Sequence, residues 1–336
     1  MPPLKLSILD LSAIPTGSTG RDALLNTLDL ARLADHWGFT RYWLSEHHNS
    51  IGLASAAPEI LIGHVANATQ RIRVGSGGIM LPNHSSLKVA ESFRLLSALH
   101  PGRVDLGLGR APGTDFLTAQ ALRRSGIGRD SFPSQLVELL GYFGGNFPEG
   151  HPYRQIEAVP VDAVTPQLWM LSSSGYGAQV AAQEGMGLAF AHHINPKPAV
   201  AALRIYQQSF QASVQLKAPA SILAVAAVCA EDPDEAERLA SSFDLVRLRI
   251  EKGQGGKFPS PEEAAAYPYE AAEQHRILEN RERFFVGTAP NVAAQIKALA
   301  DEAGAEEVMV LTMVHDHQAR RRSYEQLGHA FGLVPR

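Results

Sequence analysis

The sequence has little cysteine and no long hydrophobic run, and each shortage excludes a class of protein. Cys229 is the only cysteine, so the chain forms no internal disulfide, and the apolar residues around it indicate a buried structural thiol in a reducing compartment. Nowhere do about 18 uncharged apolar residues follow one another, so we expect no membrane-spanning helix. The N-terminus also lacks the apolar stretch and cleavage site of a signal peptide, which predicts a cytoplasmic protein.

The chain also lacks a large excess of charge of either sign. Lysine and arginine total 30 against 34 for aspartate and glutamate, a formal net charge of -4, so no field would gather nucleic acid or an anionic membrane. We therefore expect a small-molecule partner, and neither nucleic acid nor membrane. With 336 residues, 45% of them hydrophobic, the chain can bury a large core, either in two domains or in one barrel.

Short apolar runs alternate along the chain with longer segments of helical period, which is typical of parallel strands joined by helices. We predict eight strands, near Leu4 to Leu11, Arg41 to Glu46, Ile72 to Leu81, Val104 to Gly109, Gln167 to Ser172, Gly187 to Ala191, Ser221 to Ala230 and Glu306 to Val314. Eight strand-helix pairs favour an α/β fold, a closed (β/α)8 TIM barrel, over an open doubly wound sheet. The first strand is also not followed by the GxGxxG phosphate loop that often opens such a sheet.

Two segments are longer than ordinary loops between a strand and a helix. One lies near residues 111–166 and carries clusters of glycine and proline, and the other lies near 253–283 and is polar, with prolines and no strong period. Insertions at the C-terminal face of a barrel commonly build and cover the active site. A mobile surface loop explains the second segment equally well. The sequence therefore predicts one barrel domain over residues 1–336 with insertions at its C-terminal face.

Polar side chains cluster directly after the predicted strands, where a barrel carries its catalytic groups. Packing or surface exposure explains any one of the histidines, whereas their shared position after different strands indicates a site. The set comprises Asp10, Ser12, Glu46, His47, His48, Asn49, Asn83, His84, Arg110, Ser172, Ser173, Ser174, Gly175, Tyr176, His192, His193, His315, Asp316 and His317.

Five segments in a fixed order give the sequence a specific resemblance. They are YWLSEHHN, VGSGGIMLPNH, PGRVDLGLGRAPG, WMLSSSGYGAQVAAQEG and the terminal VHDHQARRRSYEQL. In this order they resemble the bacterial-luciferase-like flavin-dependent monooxygenases, the last segment being similar to a non-luminescent subgroup. The resemblance implies a dimeric barrel, for which we expect a homodimer, that binds FMN at its C-terminal face. It further implies that reduced FMN, supplied by a flavin reductase, reacts with molecular oxygen and a small organic substrate.

Groups suited to the phosphate of FMN follow the fourth and fifth strands. Arg110 offers a planar guanidinium that matches phosphate oxygens. Ser173, Ser174 and the backbone amides of Gly175 and Tyr176 stand where the fifth strand enters a helix, and a helix N-terminus binds anions. An ordinary serine N-cap would account for one serine of SSSG but not for the cluster. We therefore expect these five residues to bind FMN.

By the same resemblance, Gly77 and Gly78 in the third strand form a non-prolyl cis peptide bond beneath the flavin ring. Glycine lets a backbone approach a flat ring closely, which agrees with a cofactor-binding role. A β-bulge or a tight contact with a neighbouring helix is the alternative explanation.

His47 is the residue that we expect to carry the chemistry. By resemblance it matches the first histidine of the family's EHH motif, which stands beside the reactive edge of the flavin. Productive reaction of reduced flavin with oxygen needs the exclusion of water and a hydrogen-bond donor, and an imidazole donates and returns a proton near neutral pH. His48 then has a structural or substrate-facing role, and Glu46 orients one of the two histidines.

Three other functions remain open on the sequence. A deazaflavin-dependent dehydrogenase of the same fold would have much the same phosphate site. A metal-dependent barrel hydrolase would take histidine ligands from the ends of the second, sixth and eighth strands, but the first strand lacks an HxH pair and Arg110 would be left without a role. A flavin-binding protein without turnover would not need His47. We expect no metal.

Overall fold

The computed structural model describes residues 4–123, 131–145 and 147–335. In these residues the strands are β1 (Lys5–Asp10), β2 (Arg41–Leu44), β3 (Arg73–Met80), β4 (Val104–Gly109), β5 (Gln167–Ser172), β6 (Gly187–Ala191), β7 (Ser221–Ala230), β8 (Phe284–Thr288) and β9 (Glu307–Leu311). The helices are α1 (Gly20–Trp37), α2 (Pro58–Ala68), α3 (Ser86–Leu99), α4 (Phe116–Leu122), α5 (Phe132–Gly144), α6 (Gly175–Gln183), α7 (Ala199–Ser209), α8 (Pro233–Glu251), α9 (Pro261–Ala265), α10 (Ala271–Arg281), α11 (Ala289–Ala303) and α12 (His317–Phe331).

Eight of the strands close into a parallel barrel. The strands β1 to β6 pair in sequence order, β7 pairs with both β6 and β9, and β9 returns to β1. Every one of these pairs is parallel, which requires a crossover between successive strands, and helices provide it. The predicted (β/α)8 TIM barrel is therefore confirmed.

All eight predicted strands are present, and a further strand was missed. The additional strand β8 pairs with the C-terminal half of β7, starting at Ala226, where the pairing of β7 with β9 ends. Its sequence, FFVGT, is a five-residue apolar run directly after the polar insertion. A run this short has no period that separates a strand from a loop, so only pairing with β7 decides its structure.

Local signals fix where the helices begin and end. At the start of α1 the Thr19 hydroxyl accepts a hydrogen bond from the Asp22 amide at 3.2 Å, and the Asp22 carboxylate accepts one from the Thr19 amide at 2.9 Å. This reciprocal pair satisfies backbone donors that a helix start leaves unpaired. At the other end Gly38 adopts the left-handed conformation with φ 87°, which glycine adopts without a steric penalty.

The N-terminal half of the barrel interior is filled by an ion-pair layer below an aromatic layer. The buried Arg41 guanidinium lies 2.7 Å from Asp105 and 2.9 Å from Glu307. Above it, the Trp43 indole donates to Asp105 at 3.0 Å, and its ring meets that of Trp169 edge to face at 5.5 Å. Because these layers close the lower part of the barrel, open space remains only toward the C-terminal ends of the strands.

Both predicted insertions contain helices. The first contains α4 and α5; its residues 124–130 and 146 lie outside the described residues. The second contains α9 and α10, two helices that its polar sequence without a strong period did not reveal. Only Glu273 and Asn280 of α10 are buried, so this helix carries no apolar stripe that a sequence period would reveal. Within the described residues no helix combines the length and the apolar character needed to cross a bilayer.

Candidate active site

A cavity of about 710 Å3 opens at the C-terminal end of the barrel. Its volume is in the range of small-molecule and cofactor sites. Of the residues that the sequence singles out, the lining includes His47, His48, Gly77, Arg110, Ser172, Ser173, Ser174, Tyr176 and His193. Gly78 and Gly175 are next to lining residues in the chain but do not belong to the lining themselves. The ends of β2 to β6 therefore converge on one space.

Glu46 holds the end of β2 against the residues that follow β3. Its completely buried carboxylate accepts hydrogen bonds from His48 Nε2 at 2.8 Å, from His84 Nε2 at 2.9 Å and from the Met80 amide at 2.8 Å. Burial alone would raise the pKa of Glu46, but these donors and the charge of His84 outweigh it and lower that pKa. For His84 the hydrogen bond and charge of Glu46 likewise outweigh burial, and its pKa is raised. Glu46 thus orients His48, one of the two histidines that follow it.

His47 lies partly buried at the cavity wall. Its Nδ1 is 3.1 Å from the Ser45 hydroxyl, and its backbone amide donates to the Ser55 carbonyl at 3.0 Å. Burial lowers the pKa of His47; Glu46 opposes the shift and His48 adds to it. In the described part of the chain Nε2 has no hydrogen-bond partner. The imidazole is therefore neutral near pH 7, with one ring nitrogen fixed and the other available to a bound molecule.

Arg110 and the start of α6 form a cationic corner of the cavity. The Arg110 guanidinium carbon lies 5.1 Å from the centre of the Tyr176 ring. Ser174 is the N-cap residue of α6, yet its side chain makes no capping hydrogen bond. Instead the Ser172 hydroxyl bonds to the Ser174 amide at 3.1 Å and to its carbonyl at 2.9 Å. The ordinary N-cap explanation of SSSG therefore fails, and the first amides of α6 remain suited to an anion.

Gly77 and Gly78 are joined by a cis peptide bond, and the register between β3 and β4 shifts at this point. A Cβ atom on Gly77 would lie 2.7 Å from the Leu9 side chain, and one on Gly78 would lie 2.8 Å from the Gly107 carbonyl oxygen. Close packing therefore requires glycine at Gly78, where the obstacle is a backbone atom, and favours it at Gly77, where the obstacle is the end of a flexible side chain. Gly77 lies in the cavity floor, so a flat ring can rest directly on the backbone.

The cavity wall also includes residues that the sequence did not single out. Phe243, Val246, Arg247 and Ile250 of α8 all line the cavity. They occupy positions i, i+3, i+4 and i+7, which form one face of a helix. The sequence signal that could have revealed them is Arg247, a charged residue on an otherwise apolar face of the helix. The local sequence does not show, however, that this face lines the cavity. Packing of α8 against β7 and β8 decides it.

Both insertions contribute to the cavity wall. Ala111, Gly113 and Thr114 of the first and residues 254–258 of the second belong to the lining. The second segment is held in place because the Phe258 amide donates to the Ile14 carbonyl at 2.8 Å, and the Thr16 amide donates to the Phe258 carbonyl at 2.8 Å. This part of the insertion is therefore a bonded wall of the site rather than a free surface loop.

Several polar residues at strand ends lie away from the cavity. Asp10 is buried in an ion pair with Arg320 at 2.6 Å, and His317 bonds to Asp29 at 2.8 Å. Others outside the lining are Ser12, Asn49, Asn83, His192, His315 and Asp316. Within the residues that the structure describes, no group of three or more His, Cys, Asp and Glu side chains could hold a metal ion. The hydrolase alternative thus has no ligand set there. Cys229 is buried, and burial raises its pKa to about 12.

Comparison with known proteins shows which family shares these features. The family model described as luciferase-like monooxygenase matches residues 4–310. A luciferase-like monooxygenase of Escherichia coli (strain K12) is 40% identical over 323 residues, which cover 96% of this chain and 95% of the relative. The N-acetyl-S-alkylcysteine monooxygenase of Bacillus subtilis (strain 168) is 34% identical over 331 residues, covering 97% and 98%. The crystal structure of apo-MsnO8 is similar with a TM-score of 0.90 and 37% identity, covering 99% of both chains.

Proposed function

The chain belongs to the luciferase-like monooxygenase family, and we propose that it is an oxygenase that uses reduced FMN and molecular oxygen to oxidise a small organic substrate. The observation that carries the proposal is one cavity that combines a cationic corner, a backbone floor of glycine and a partly buried imidazole. These are the three groups that a flavin mononucleotide and its chemistry require: a phosphate site, a surface for the ring and a proton carrier.

The residues present fit FMN. Arg110 and the first amides of α6, together with the hydroxyls of Ser173 and Ser174, would hold the phosphate. The backbone at Gly77 and Gly78 would lie against the ring, because glycine has no side chain to hold a flat ring away and Gly77 lines the cavity. When bound, the reduced flavin supplies the two electrons that reduce oxygen, so that one oxygen atom enters the substrate and the other leaves as water.

This chain's own contribution to the reaction is proton transfer, together with walls that would limit the entry of water. His47 is neutral because burial lowers its pKa, and Nε2 can accept a proton and return it while Nδ1 stays bonded to the Ser45 hydroxyl. Residues 254–258 line the cavity together with Ala111, Gly113 and Thr114, and they would limit the entry of water when a cofactor is bound. Exclusion of water is needed because it would divert the reaction to hydrogen peroxide.

A deazaflavin-dependent dehydrogenase is the second candidate. Its cofactor also carries a phosphate, so Arg110 and α6 fit it equally well. FMN is favoured because the relatives that match nearly the whole chain at 34% and 40% identity are named as monooxygenases, and deazaflavins do not support oxygenation.

The remaining parts of the proposal concern partners and location. A flavin reductase would supply reduced FMN, and the protein would act as a homodimer, as the family resemblance implies. We place it in the cytoplasm, since the free thiol of Cys229 and a supply of reduced flavin both suit a reducing compartment.

Flavin preference tests the proposed function. Purified protein is titrated with FMN, chemically reduced FMN under anaerobic conditions and a deazaflavin, and oxygen uptake is then recorded after air is admitted. We expect reduced FMN to bind most tightly and to be consumed with oxygen. Tight binding of the deazaflavin together with no binding of reduced FMN would establish the dehydrogenase instead. Failure of all three flavins to bind would refute both.

A further inference from the structure

The charged side chains that line the cavity are all of one sign. They are Arg110, Arg247, Arg249 and Lys257, and the described lining contains no aspartate or glutamate. One cation, Arg110, is accounted for by the flavin phosphate under the proposed function. The others follow β7, on α8 and the segment after it, and the phosphate site does not use them.

Arg247 lines the cavity and has no anionic partner within the described residues. Its Nε atom is fully buried and has no hydrogen-bond partner within the described residues. The guanidinium carbon lies 5.7 Å from the centre of the Phe284 ring. The nearby carboxylate of Glu251 is already bonded to Arg276 at 2.8 Å and to Asn280 at 3.1 Å. A guanidinium without an acceptor is costly to bury. Because Nε is enclosed, the terminal nitrogens of Arg247, which lines the cavity, are the donors that can meet an acceptor on a bound molecule.

His193 also lines the cavity, and the charge of Arg247 acts on its imidazole ring. Its Nδ1 lies 3.0 Å from the Ala224 carbonyl oxygen, which can only accept, so Nδ1 carries the proton and Nε2 is an acceptor. Burial lowers the pKa of His193 to about 4, and the charge of Arg247 contributes to the shift. The ring is therefore neutral at pH 7, so the positive charge on this wall comes from Arg247, Arg249 and Lys257.

The surface next to Arg247 is apolar. Phe243 and Val246 precede it on the same face of α8, and Met309 and Met313 line the cavity from β9 and the residues after it. A molecule that fills this region must present one anionic group to Arg247 and hydrocarbon to the rest.

We propose that Arg247 binds a carboxylate or sulfonate of the substrate, so that the substrates of this enzyme are organic anions with an apolar body. The proposal rests on the proposed function for the reaction itself, but anion binding at Arg247 is measurable without turnover. It predicts a preference for an anionic compound over its neutral isostere, and that preference should depend on this one side chain.

The test uses octanoate and 1-octanesulfonate as probes, with octanamide as the neutral isostere. Binding to the flavin-free and to the FMN-loaded protein is measured by calorimetry. We expect both anions to bind about ten- to a hundredfold more tightly than octanamide, the effect of a charge-assisted hydrogen bond. In Arg247→Met, which retains an unbranched apolar stem but not the guanidinium, the three probes should bind alike. Arg247→Lys should recover part of the preference, because it restores a point charge.

Arg32→Met is the matched control, since Arg32 is an exposed arginine of α1 outside the cavity lining. It changes the net charge by the same amount and should leave the preference intact. Equal binding of octanoate and octanamide to the wild type, or an unchanged preference in Arg247→Met, would overturn the proposal, as would absence of saturable anion binding. Loss of FMN affinity but not riboflavin affinity in Arg247→Met would instead make Arg247 a phosphate ligand. Failure of the proposed function would appear separately, as no consumption of oxygen with reduced FMN.

Discussion

At the scale of single residues, Arg110 decides whether the cationic corner binds phosphate. For Arg110→Ala we expect FMN affinity to fall by about 1.5 to 3 kcal/mol, the range for a lost charge-assisted hydrogen bond, or roughly ten- to a hundredfold in Kd. Riboflavin has no phosphate, so its affinity should scarcely change. Fluorescence titration of both flavins measures this, with Arg32→Ala as the control for net charge. Equal losses for FMN and riboflavin would show that Arg110 does not contact the phosphate.

Substitution of His47 is expected to affect turnover but not the affinity for reduced FMN. In His47→Ala we expect reduced FMN to bind nearly as in the wild type, because the phosphate and ring contacts come from other strands. Coupled turnover should fall by about a hundred- to ten-thousandfold, the scale for a positioned acid-base group, and oxygen should be released as hydrogen peroxide. His48→Ala should be milder, since Glu46 already holds His48. The measurement is the ratio of peroxide formed to oxygen consumed, and an unchanged ratio would remove His47 from the mechanism.

The pH dependence of the same reaction follows from the pKa of His47. Burial lowers that pKa below its ordinary value of 6.5, so the neutral ring is present at pH 7 and disappears only as the pH falls through the lowered value. We therefore expect the acid limb of kcat/KM to lie below pH 6.5 and to be absent in His47→Ala. An acid limb above pH 6.5 would mean that a different group is being titrated.

At the scale of elements, Glu46 ties the loop after β2 to the loop after β3. The pKa of Glu46 is lowered from 4.5, so its contribution to stability is present above pH 4.5 and is lost as the pH falls through the folded-state value. The pKa of His84 is raised from 6.5, so its contribution is present below pH 6.5 and is lost as the pH rises through the folded-state value. Both contributions coexist between pH 4.5 and 6.5.

Glu46→Gln should therefore lower the free energy of unfolding by about 1.5 to 3 kcal/mol, with the largest loss inside this window. Urea denaturation below, within and above the window measures the effect. Glu302→Gln, at an exposed position of α11, is the control and should change little at any pH. A loss from Glu46→Gln that does not vary with pH would show that the ion pair with His84 adds nothing beyond packing.

The strand β3 tests whether glycine is needed for packing. Gly78→Ala places a Cβ 2.8 Å from the Gly107 carbonyl oxygen, a backbone atom that cannot move aside cheaply, so we expect a loss of roughly 1 to 3 kcal/mol from overpacking. In Gly77→Ala the close atom is the end of the Leu9 side chain, and the loss should be smaller. Gly175→Ala meets nothing within 4 Å and keeps its amide. It should retain both stability and FMN binding, and its failure in FMN binding alone would contradict an amide-based phosphate site.

At the scale of the whole molecule, the proposed homodimer needs an apolar contact surface. Leu95 and Leu99, four residues apart on α3, are 56% and 66% exposed, and Ile60 on the neighbouring α2 is 60% exposed. We propose that this surface lies in the dimer. The double variant Leu95→Glu with Leu99→Glu should sediment as a monomer, whereas Leu278→Glu, at an exposed position of α10, should remain a dimer. A wild type that sediments as a monomer at micromolar concentration would refute the proposal.

We also propose that residues 1–336 act as one barrel domain. Both insertions contribute walls to the same cavity, and the second is bonded to the segment after β1 through Phe258. Neither insertion is therefore independent of the barrel in the described residues.

The sequence by itself determined the fold and predicted which end of the barrel gathers many of the candidate site residues. Strand and helix periods are local properties of the chain, and the carboxyl ends of parallel barrel strands must meet at one face. For this reason the strand pattern alone predicts that His47, Arg110 and Tyr176 lie together, although they are far apart in the chain. The cis bond at Gly77 and Gly78 was also anticipated, but by resemblance to a family rather than by local chemistry.

Only the tertiary structure decided which polar groups face the cavity and which are already bonded to other side chains. Asp10 is the last residue of β1 and His47 comes shortly after β2, yet Asp10 is neutralised by Arg320, 310 residues away. Arg247 was missed because its role depends on how α8 packs and on Glu251 having another partner. Periodicity is set by neighbouring residues along the chain, whereas the pairing of charges depends on distances between elements that are remote in sequence.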